Sequence, residues 1–196
     1  MDSDTLVAYN SEAVKFAKDW LDQPAPEDMY ALLVRYFKPG LTADIGCGSG
    51  RDVAWLNGNG YEAIGYDASD GLLGQARTLH PNFRFEKAAL PELDGLQQDT
   101  FENVLCETVI MHLATELIGS ATRRLLGILR PEGTLYLSWR VTDGISQRDK
   151  HRRLYAVFNK TVVLDECVGH VVLLDQEEVS SSSGKTVHRV IVRKSA

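Results

Sequence analysis

Apolar residues along the chain alternate between helical spacing and short continuous runs. From Glu27 they recur every three or four positions until Pro39-Gly40 interrupts the pattern, which predicts an amphipathic helix. Further stretches with helical spacing lie at 51–57, 70–79 and 114–129, and short apolar runs lie at 41–45, 61–66, 83–86, 101–106 and 134–139. Strands that alternate with helices predict a mainly parallel sheet with helices on both faces.

The last part of the chain follows a different pattern. Two β-rich runs, 170–179 and 187–192, are joined by the polar segment Ser180–Gly184. So short a connection predicts an antiparallel hairpin with the serines at its tip. Gly184-Lys185-Thr186 is similar to the end of a phosphate-binding P-loop, but Val179 stands where that motif requires its first glycine and no helix is predicted to follow. We therefore do not interpret it as a nucleotide site.

Composition and charge narrow the classes of function. Of the 196 residues 44% are hydrophobic and 24% are charged, which is typical of a folded globular domain. A net charge of −6 gives no general attraction to a phosphate backbone, so we expect no nucleic-acid partner. The acidic N-terminus is unlike a signal peptide and no long apolar stretch follows, so we expect a cytoplasmic protein without a membrane partner. Three widely spaced cysteines predict neither a disulfide framework nor a metal site.

The most informative motif is a glycine-rich turn between the first predicted strand and the next helix, Ala43-Asp44-Ile45-Gly46-Cys47-Gly48-Ser49-Gly50-Arg51. Its glycines allow the backbone to turn tightly and to approach a ligand closely. The spacing from Gly46 is G-x-G-x-G, not the G-x-G-x-x-G of dinucleotide sites, and Asp44 suits a neighbouring ammonium group better than a pyrophosphate. Asp67 ends the second predicted strand, where a carboxylate can accept hydrogen bonds from both hydroxyls of a ribose. The motif predicts a nucleotide-like ligand.

These motifs and their order resemble the class I S-adenosylmethionine (SAM)-dependent methyltransferases, in particular the small bacterial single-domain members. The resemblance extends over nearly the whole chain. The matching segments are the first motif at 43–51, the second motif Gly65-Tyr66-Asp67-Ala68-Ser69, the turn Leu129-Arg130-Pro131-Glu132-Gly133-Thr134 before the fifth strand, and Tyr9-Asn10-Ser11-Glu12-Ala13, which is similar to the start of a lid helix. The resemblance therefore implies a fold as well as a ligand.

The implied fold is α/β: a doubly wound, mainly parallel seven-stranded sheet of the Rossmann-like type with a C-terminal antiparallel hairpin. In that family six strands are parallel and one antiparallel strand is inserted among them, which the hairpin would supply. We expect a single domain over 1–196, because one core of this size can stand alone. Its expected parts are N-terminal lid helices (1–38), a cofactor-binding core (39–140), a candidate substrate segment (141–160) and a C-terminal helix and hairpin (161–196).

SAM is the implied cofactor and S-adenosylhomocysteine its product. The resemblance implies that Asp44 lies near the methionine amino group, that Asp67 binds the ribose, and that Tyr9 folds over the site, although Tyr9 also fits a packing position on an amphipathic helix. The expected cofactor-binding residues are Tyr9, Asp44, Gly46, Cys47, Gly48, Arg51, Asp67, Ala68, Ala89, Leu90 and Glu107.

The chain departs from the family pattern at a few positions. At Ala89 the family often has an acidic residue that contacts the adenine amino group, so backbone groups or Glu86 would have to replace it. Glu102 and Glu132 replace other frequent family residues, and we expect both at surface positions. Neither change removes the cofactor pocket.

Candidate catalytic residues are Glu107, His112 and Arg140. SAM carries its own reactive sulfonium, so the protein mainly has to align acceptor and methyl group. Glu107 and His112 follow the fourth predicted strand, where ligands of open α/β sheets bind and where either could remove a proton; His112 also fits a packing position. Arg140 ends the fifth strand and is predicted to bind an anionic acceptor, with Tyr155 stacking over it. The charge run 148–153 is interpreted as a solvated helix face.

The predicted function is methyl transfer from SAM to a small molecule, anionic or aromatic, because the core takes up nearly the whole chain. Two alternatives keep SAM as the ligand: methylation of a protein side chain or an RNA base, and a regulator that binds SAM without catalysis. An NAD-dependent oxidoreductase would share the βαβ unit and Asp67, but the glycine spacing and the terminal hairpin oppose it.

Overall fold

The apolar runs of the sequence form one mixed sheet in a computed structural model that describes all 196 residues. The strands are β1 (Leu41–Ile45), β2 (Glu62–Asp67), β3 (Arg84–Lys87), β4 (Phe101–Cys106), β5 (Leu129–Arg140), β6 (Gln147–Arg148), β7 (Leu154–Tyr155), β8 (Val171–Val179) and β9 (Thr186–Arg193). Seven of them form the main sheet in the order β3-β2-β1-β4-β5-β9-β8, and β6 pairs with β7 in a separate ribbon.

The direction of the strands confirms the predicted fold class. β1 to β5 are mutually parallel, and β9 is antiparallel both to β5 and to β8. β8 therefore runs parallel to the first five strands, so that six strands are parallel and β9 is the inserted antiparallel one. This topology places the carboxyl ends of β1, β2, β4 and β5 at one edge of the sheet, together with the tip of the β8–β9 hairpin.

Helices cover both faces of the sheet, as the alternating pattern predicts. They are α1 (Ser3–Ser11), α2 (Ala13–Leu21), α3 (Glu27–Tyr36), α4 (Arg51–Gly58), α5 (Asp70–Leu79), α6 (Ile118–Ile128) and α7 (Thr161–Leu164). One core joins α6 and α7 to the sheet, and a second core joins α3, α4 and α5 to its other face. None of the helices combines the length and the hydrophobicity that crossing a bilayer requires.

The N-terminal 38 residues do not act as one unit. α3 is a core helix, since Met29 and Leu33 are fully buried in the second core. α1 and α2 instead form a small cluster with the beginning of α5, in which Phe16 packs against Leu72. Asn10 strengthens this contact because its side-chain oxygen accepts hydrogen bonds from the Ser69 hydroxyl (2.8 Å) and the Gly71 N–H (3.1 Å). The lid expected at 1–38 is thus confined to α1 and α2 and stays a prediction.

The expected surface position of Glu102 is wrong. Glu102 is 3% exposed and forms an ion pair with Arg130. This acidic residue of β4 is therefore buried against the beginning of β5. Its neighbour Asn103 is fully buried. Glu132, in contrast, is exposed with a φ of +65°, a left-handed conformation that a glycine would adopt more easily.

Asn103 connects β4 to the beginning of β1. Its side-chain nitrogen donates to the Lys38 carbonyl (2.8 Å) and the Thr42 hydroxyl (3.0 Å), and its oxygen accepts the Lys38 N–H (3.1 Å). All three partners lie in or next to the loop between α3 and β1, where no regular backbone pairing is available. The side chain therefore replaces ladder hydrogen bonds at this point.

Replacing Asn103 with alanine should lower the free energy of unfolding by about 2–3 kcal/mol, because a fully buried amide and its three hydrogen bonds to Lys38 and Thr42 are lost. Urea denaturation followed by circular dichroism measures the change. Asn59→Ala is the matched control: this exposed amide bonds only the Trp55 carbonyl and should cost less than about 0.5 kcal/mol. Equal losses in the two variants would contradict the connecting role.

Candidate functional site

A cavity of about 370 Å³ opens at the carboxyl ends of the parallel strands, the edge where open α/β sheets bind ligands. Its floor consists of the glycine turn after β1, Asp67 at the end of β2, the segment after β4 and Arg140 at the end of β5. Three segments from elsewhere in the chain cover it: α1 and α2 with Tyr9 and Trp20, the β6–β7 ribbon with Arg153 and Tyr155, and the tip of the β8–β9 hairpin.

The glycine turn has a conformation that only glycine adopts without strain. Gly46, Gly48 and Gly50 have φ values of +79°, +54° and +87°. A Cβ atom at Gly46 would collide with the Val109 side chain, and one at Gly48 would lie 2.9 Å from the Trp20 ring. The N–H groups of Gly46 and of the following cysteine both donate to the Tyr66 carbonyl, at 2.7 and 3.0 Å. The turn is thereby fixed to β2, with its backbone against the cavity.

Asp67 connects the turns that follow β1 and β2. One of its carboxylate oxygens accepts the Gly48 N–H (2.9 Å) and the other accepts the Ser69 N–H (2.8 Å). The residue is 6% exposed, and burial raises the pKa of its carboxyl group. Each oxygen retains further capacity to accept a hydrogen bond. Asp67 therefore presents two fixed acceptors to the cavity, which suits a pair of neighbouring hydroxyls.

Asp44 is a buried carboxyl group with an unused acceptor. It is 3% exposed, and its Oδ2 atom has no hydrogen-bond partner. Burial, and after it the nearby Asp52, raises the pKa of Asp44 well above its ordinary value. The charge of Arg51 opposes this shift only in part, and its guanidinium group forms a two-pronged ion pair with Asp52 at 2.9 and 3.0 Å. A cation near Asp44 would stabilise its charged form.

Glu107 is held at the end of β4 by Ser138 of β5. The Ser138 oxygen accepts the Thr108 N–H at 3.0 Å, so its own O–H is free to donate to the Glu107 carboxylate. Burial raises the pKa of Glu107, and the Ser138 hydrogen bond opposes this shift. The carboxylate is thus oriented in the wall of the cavity by a neighbouring strand.

His112 and Tyr9 form a hydrogen-bonded chain in the cavity wall. His112 Nδ1 lies 2.5 Å from the Leu154 carbonyl and Nε2 lies 3.0 Å from the Tyr9 hydroxyl. A carbonyl only accepts, so Nδ1 carries the proton and Nε2 accepts the Tyr9 O–H. Burial lowers the pKa of His112 to about 4 and raises that of Tyr9 to about 12. Both side chains are therefore neutral at physiological pH.

The ring of Tyr155 brings the remaining side chains of the cavity together. It makes an edge contact with His112 (5.1 Å between ring centres) and lies beneath the guanidinium groups of Arg140 (5.2 Å) and Arg153 (5.8 Å). Arg153 pairs with Asp149 at 2.6 Å. The side chain of Arg140 has no acidic partner within 4 Å and makes no hydrogen bond.

The segment 148–153 is not the solvated helix face that we expected. It belongs to the β6–β7 ribbon, and its charges pair with the N-terminal helices. The contacts are the ion pairs Arg148–Asp2 (2.8 Å) and Arg152–Asp4 (2.9 Å) and a hydrogen bond between His151 and Glu12 (2.8 Å). The side chain of Arg153 is only 16% exposed and faces the cavity. The charge run therefore attaches α1 to the ribbon, a pairing across the whole chain that the local pattern does not reveal.

Comparison with known proteins agrees with this geometry. A family model described as "Methyltransferase domain" matches residues 43–133, from the glycine turn to the beginning of β5. The match covers less than half of the chain, and it agrees with the resemblance to the SAM-dependent methyltransferases.

A curated protein similar to this chain is the tRNA (carboxymethyluridine(34)-5-O)-methyltransferase of Saccharomyces cerevisiae. It is 33% identical over 114 residues, which are 55% of this chain and 38% of the yeast enzyme. The match thus spans little more than a third of that relative's length.

Two solved structures have the same fold. The 1,6-didemethyltoxoflavin-N1-methyltransferase of Burkholderia thailandensis, solved with 1,6-didemethyltoxoflavin and S-adenosylhomocysteine, has a TM-score of 0.76 and 21% identity, covering 99% of this chain and 88% of its own. The magnesium protoporphyrin IX methyltransferase of Synechocystis, solved with SAM, has a TM-score of 0.75 and 18% identity, covering 100% and 98%.

The cavity brings together most of the residues predicted from the sequence. They are Tyr9, Gly46, Cys47, Gly48, Arg51, Asp67, Glu107, His112 and Arg140. Asp44, Ala68, Ala89 and Leu90 do not line it, and the Leu90 carbonyl accepts a hydrogen bond from the Met1 amino group at 2.7 Å. Glu86 pairs with Arg84 at the exposed edge strand β3 and does not line the cavity either. Contact of these residues with the cofactor stays a prediction.

Sequence reasoning missed several wall residues that come from the covering segments. Trp20 of α2 and the hairpin tip with Ser180, Ser182, Ser183 and Lys185 all border the cavity. The topology carried a signal for the tip: a hairpin whose second strand pairs with β5 must turn at the same edge of the sheet as Arg140. The sequence held no comparable signal for Trp20.

Replacing Asp67 with asparagine should weaken binding of S-adenosylhomocysteine by about 10-fold to 100-fold, because one of the two charged acceptors becomes an amide donor. Isothermal titration calorimetry measures the affinity. Asp70→Asn serves as control, since Asp70 is exposed and pairs with Lys87 outside the cavity. A folded Asp67→Asn protein with unchanged affinity would refute the ribose contact.

Acidification should destabilise the protein through His112. The unfolded imidazole binds a proton below about pH 6.5, whereas the folded one binds it only near pH 4, so protons favour the unfolded chain between these values. From about pH 7.5 to about pH 5 the wild type should lose about 2 kcal/mol more than His112→Gln. Urea unfolding at both pH values tests this. His170→Gln, which removes a half-exposed imidazole outside the cavity, should follow the wild type; a His112→Gln curve that does so contradicts the prediction.

Proposed function

We propose that this protein transfers the methyl group of SAM to a small-molecule acceptor, mainly by holding the two in line. The observation that carries the proposal is one continuous cavity. The glycine turn and Asp67 line it together with His112, Arg140 and Tyr155, so a cofactor and an acceptor would share the same enclosed space. Such alignment can supply a large part of the rate enhancement.

The residues at the cofactor end fit SAM. The cradle of Gly46 and Gly48 has no room for side chains, and Asp67 offers two acceptors to a ribose. The unused Oδ2 of Asp44 lies buried beside this turn in the sequence and suits the cofactor's ammonium group. SAM, when bound, supplies a methyl group on a sulfonium that leaves readily.

The acceptor end needs little chemistry from the chain. His112 is neutral and engaged by Leu154 and Tyr9, so it orients the Tyr9 hydroxyl. Glu107 directly follows β4 and lines the cavity wall. Because its pKa is raised, it can take a proton from an acceptor that must lose one. Tyr9 of α1 and Trp20 of α2 line the cavity and keep water from that side of it.

A small acceptor is favoured over a protein or RNA group by what covers the cavity. α1, the β6–β7 ribbon and the hairpin tip border it, and Ser181 at that tip bonds Asp28 in the first turn of α3 through its N–H at 3.1 Å and its hydroxyl at 2.5 Å. Arg148 and Arg152 are paired with acidic groups of α1 and its preceding turn, so these arginines are not free to bind a phosphate backbone. The net charge of −6 agrees.

Calorimetric titration with S-adenosylhomocysteine and separately with NAD tests the cofactor, and incubation with methyl-labelled SAM and a panel of small acceptors tests the reaction. We expect micromolar binding of S-adenosylhomocysteine, no binding of NAD, and label in a small product, because the glycine spacing and Asp67 suit the first ligand alone. Asp67→Asn is the control for background labelling.

Binding of NAD would overturn the proposal. Binding of S-adenosylhomocysteine with label appearing only in tRNA or protein would overturn the small-molecule acceptor. Binding with no methyl transfer to any acceptor class would favour a regulator.

A further inference from the structure

Arg140 is a cation without a counterion at the acceptor end of the cavity. Its guanidinium group lies over the Tyr155 ring at 5.2 Å. The cavity's other two arginines are neutralised, Arg51 by Asp52 and Arg153 by Asp149. A guanidinium held by its face against an aromatic ring keeps its N–H edge available.

The acidic groups that line the two cavities bordered by Arg140 are already engaged. On the cofactor side Glu107 accepts the Ser138 hydroxyl, two positions before Arg140 on the same face of β5, and Asp67 is held by backbone N–H groups. Beyond Arg140 lies a second cavity of about 280 Å³, which Arg140 also lines. The acids on that side, Asp175 and Glu177, pair with His188 at 2.6 and 3.1 Å.

The cavity is therefore divided by charge. Its carboxylates, including Asp52, Asp67 and Glu107, gather around the glycine turn and the end of β4, where a cationic cofactor fits. Arg140 and Lys185, neither of which has an acidic partner within 4 Å, lie at the β5 and hairpin side. An anion bound there would be attracted both by these cations and by a sulfonium at the other end.

We propose that the methyl acceptor carries a carboxylate that binds the guanidinium group of Arg140, with Lys185 at the rim. This inference rests on the proposed function. One free guanidinium matches a singly charged carboxylate in a two-pronged geometry, and no helix begins at this point to help bind a phosphate dianion. Arg140 is thus a specificity-determining residue of the acceptor site.

The test uses benzoate, benzamide and phenyl phosphate as probes of equal ring size and different charge. Their binding to the full chain, alone and saturated with S-adenosylhomocysteine, is measured by ligand-observed NMR titration. We expect benzoate to bind roughly tenfold or more tightly than benzamide, and Arg140→Gln to remove that preference. Arg140→Lys should retain part of it, because the charge remains but the two-pronged geometry is lost.

Arg35→Gln is the matched control. Arg35 also stacks on a tyrosine, Tyr36, at 5.1 Å, but it is exposed and lies outside the cavity. It should leave benzoate binding unchanged. Calorimetry with S-adenosylhomocysteine shows that each variant is folded, since Arg140→Gln should keep the wild-type affinity within about twofold.

Equal binding of benzoate and benzamide, or benzoate binding that survives Arg140→Gln, would overturn the proposal. A phenyl phosphate preference that depends on Arg140 would overturn the carboxylate in favour of a phosphate. If the wild type does not bind S-adenosylhomocysteine, the proposed function is overturned. Titration with the three probes in the absence of S-adenosylhomocysteine would still test the anion site.

Discussion

The two backbone N–H groups bound by Asp67 determine the geometry on which the site depends. One belongs to the glycine turn after β1 and the other to the turn after β2, so a single carboxylate fixes the ends of two parallel strands relative to each other. The turn can accept this position because Gly46 and Gly48 adopt left-handed conformations. Without the hydrogen bonds of Asp67, the glycine turn that borders the cavity would have no fixed orientation. The side chains at the ends of β4 and β5 would then face a backbone of variable position.

The two halves of the cavity are therefore built from different parts of the chain. Residues of the first two strands form a rigid, acidic half that the fold itself requires. The other half comes from the ends of β4 and β5 and from covers attached by side-chain contacts, so its residues can vary without disturbing the sheet. This explains why proteins of one fold, with 21% identity or less to this chain, carry names that refer to very different acceptors.

The sequence predicted the parts of the molecule that local pattern determines. The fully apolar run of β4 and the helical spacing from Glu27 both reflect burial within one element, which periodicity detects. The glycine turn was readable because positive φ angles restrict the residue type. The helix expected at 114–129 begins later, at Ile118, after two 3₁₀ turns that bring His112 to the cavity. The ion pairs that attach α1 could not be predicted from the sequence, because Arg148 and Asp2 are 146 positions apart. A charge run that forms ion pairs has the same local pattern as one that is solvated.

The attachment of α1 by ion pairs has a consequence for how ligands reach the enclosed cavity. Apart from Tyr9, α1 buries only Thr5 and Ala8, and part of its hold comes from partly exposed ion pairs that mobile ions weaken. Such a segment can open as a local unit while the sheet stays folded. The ionic strength of the surroundings would then change how often the cavity opens, and ligand exchange would respond to solution conditions that leave the core untouched.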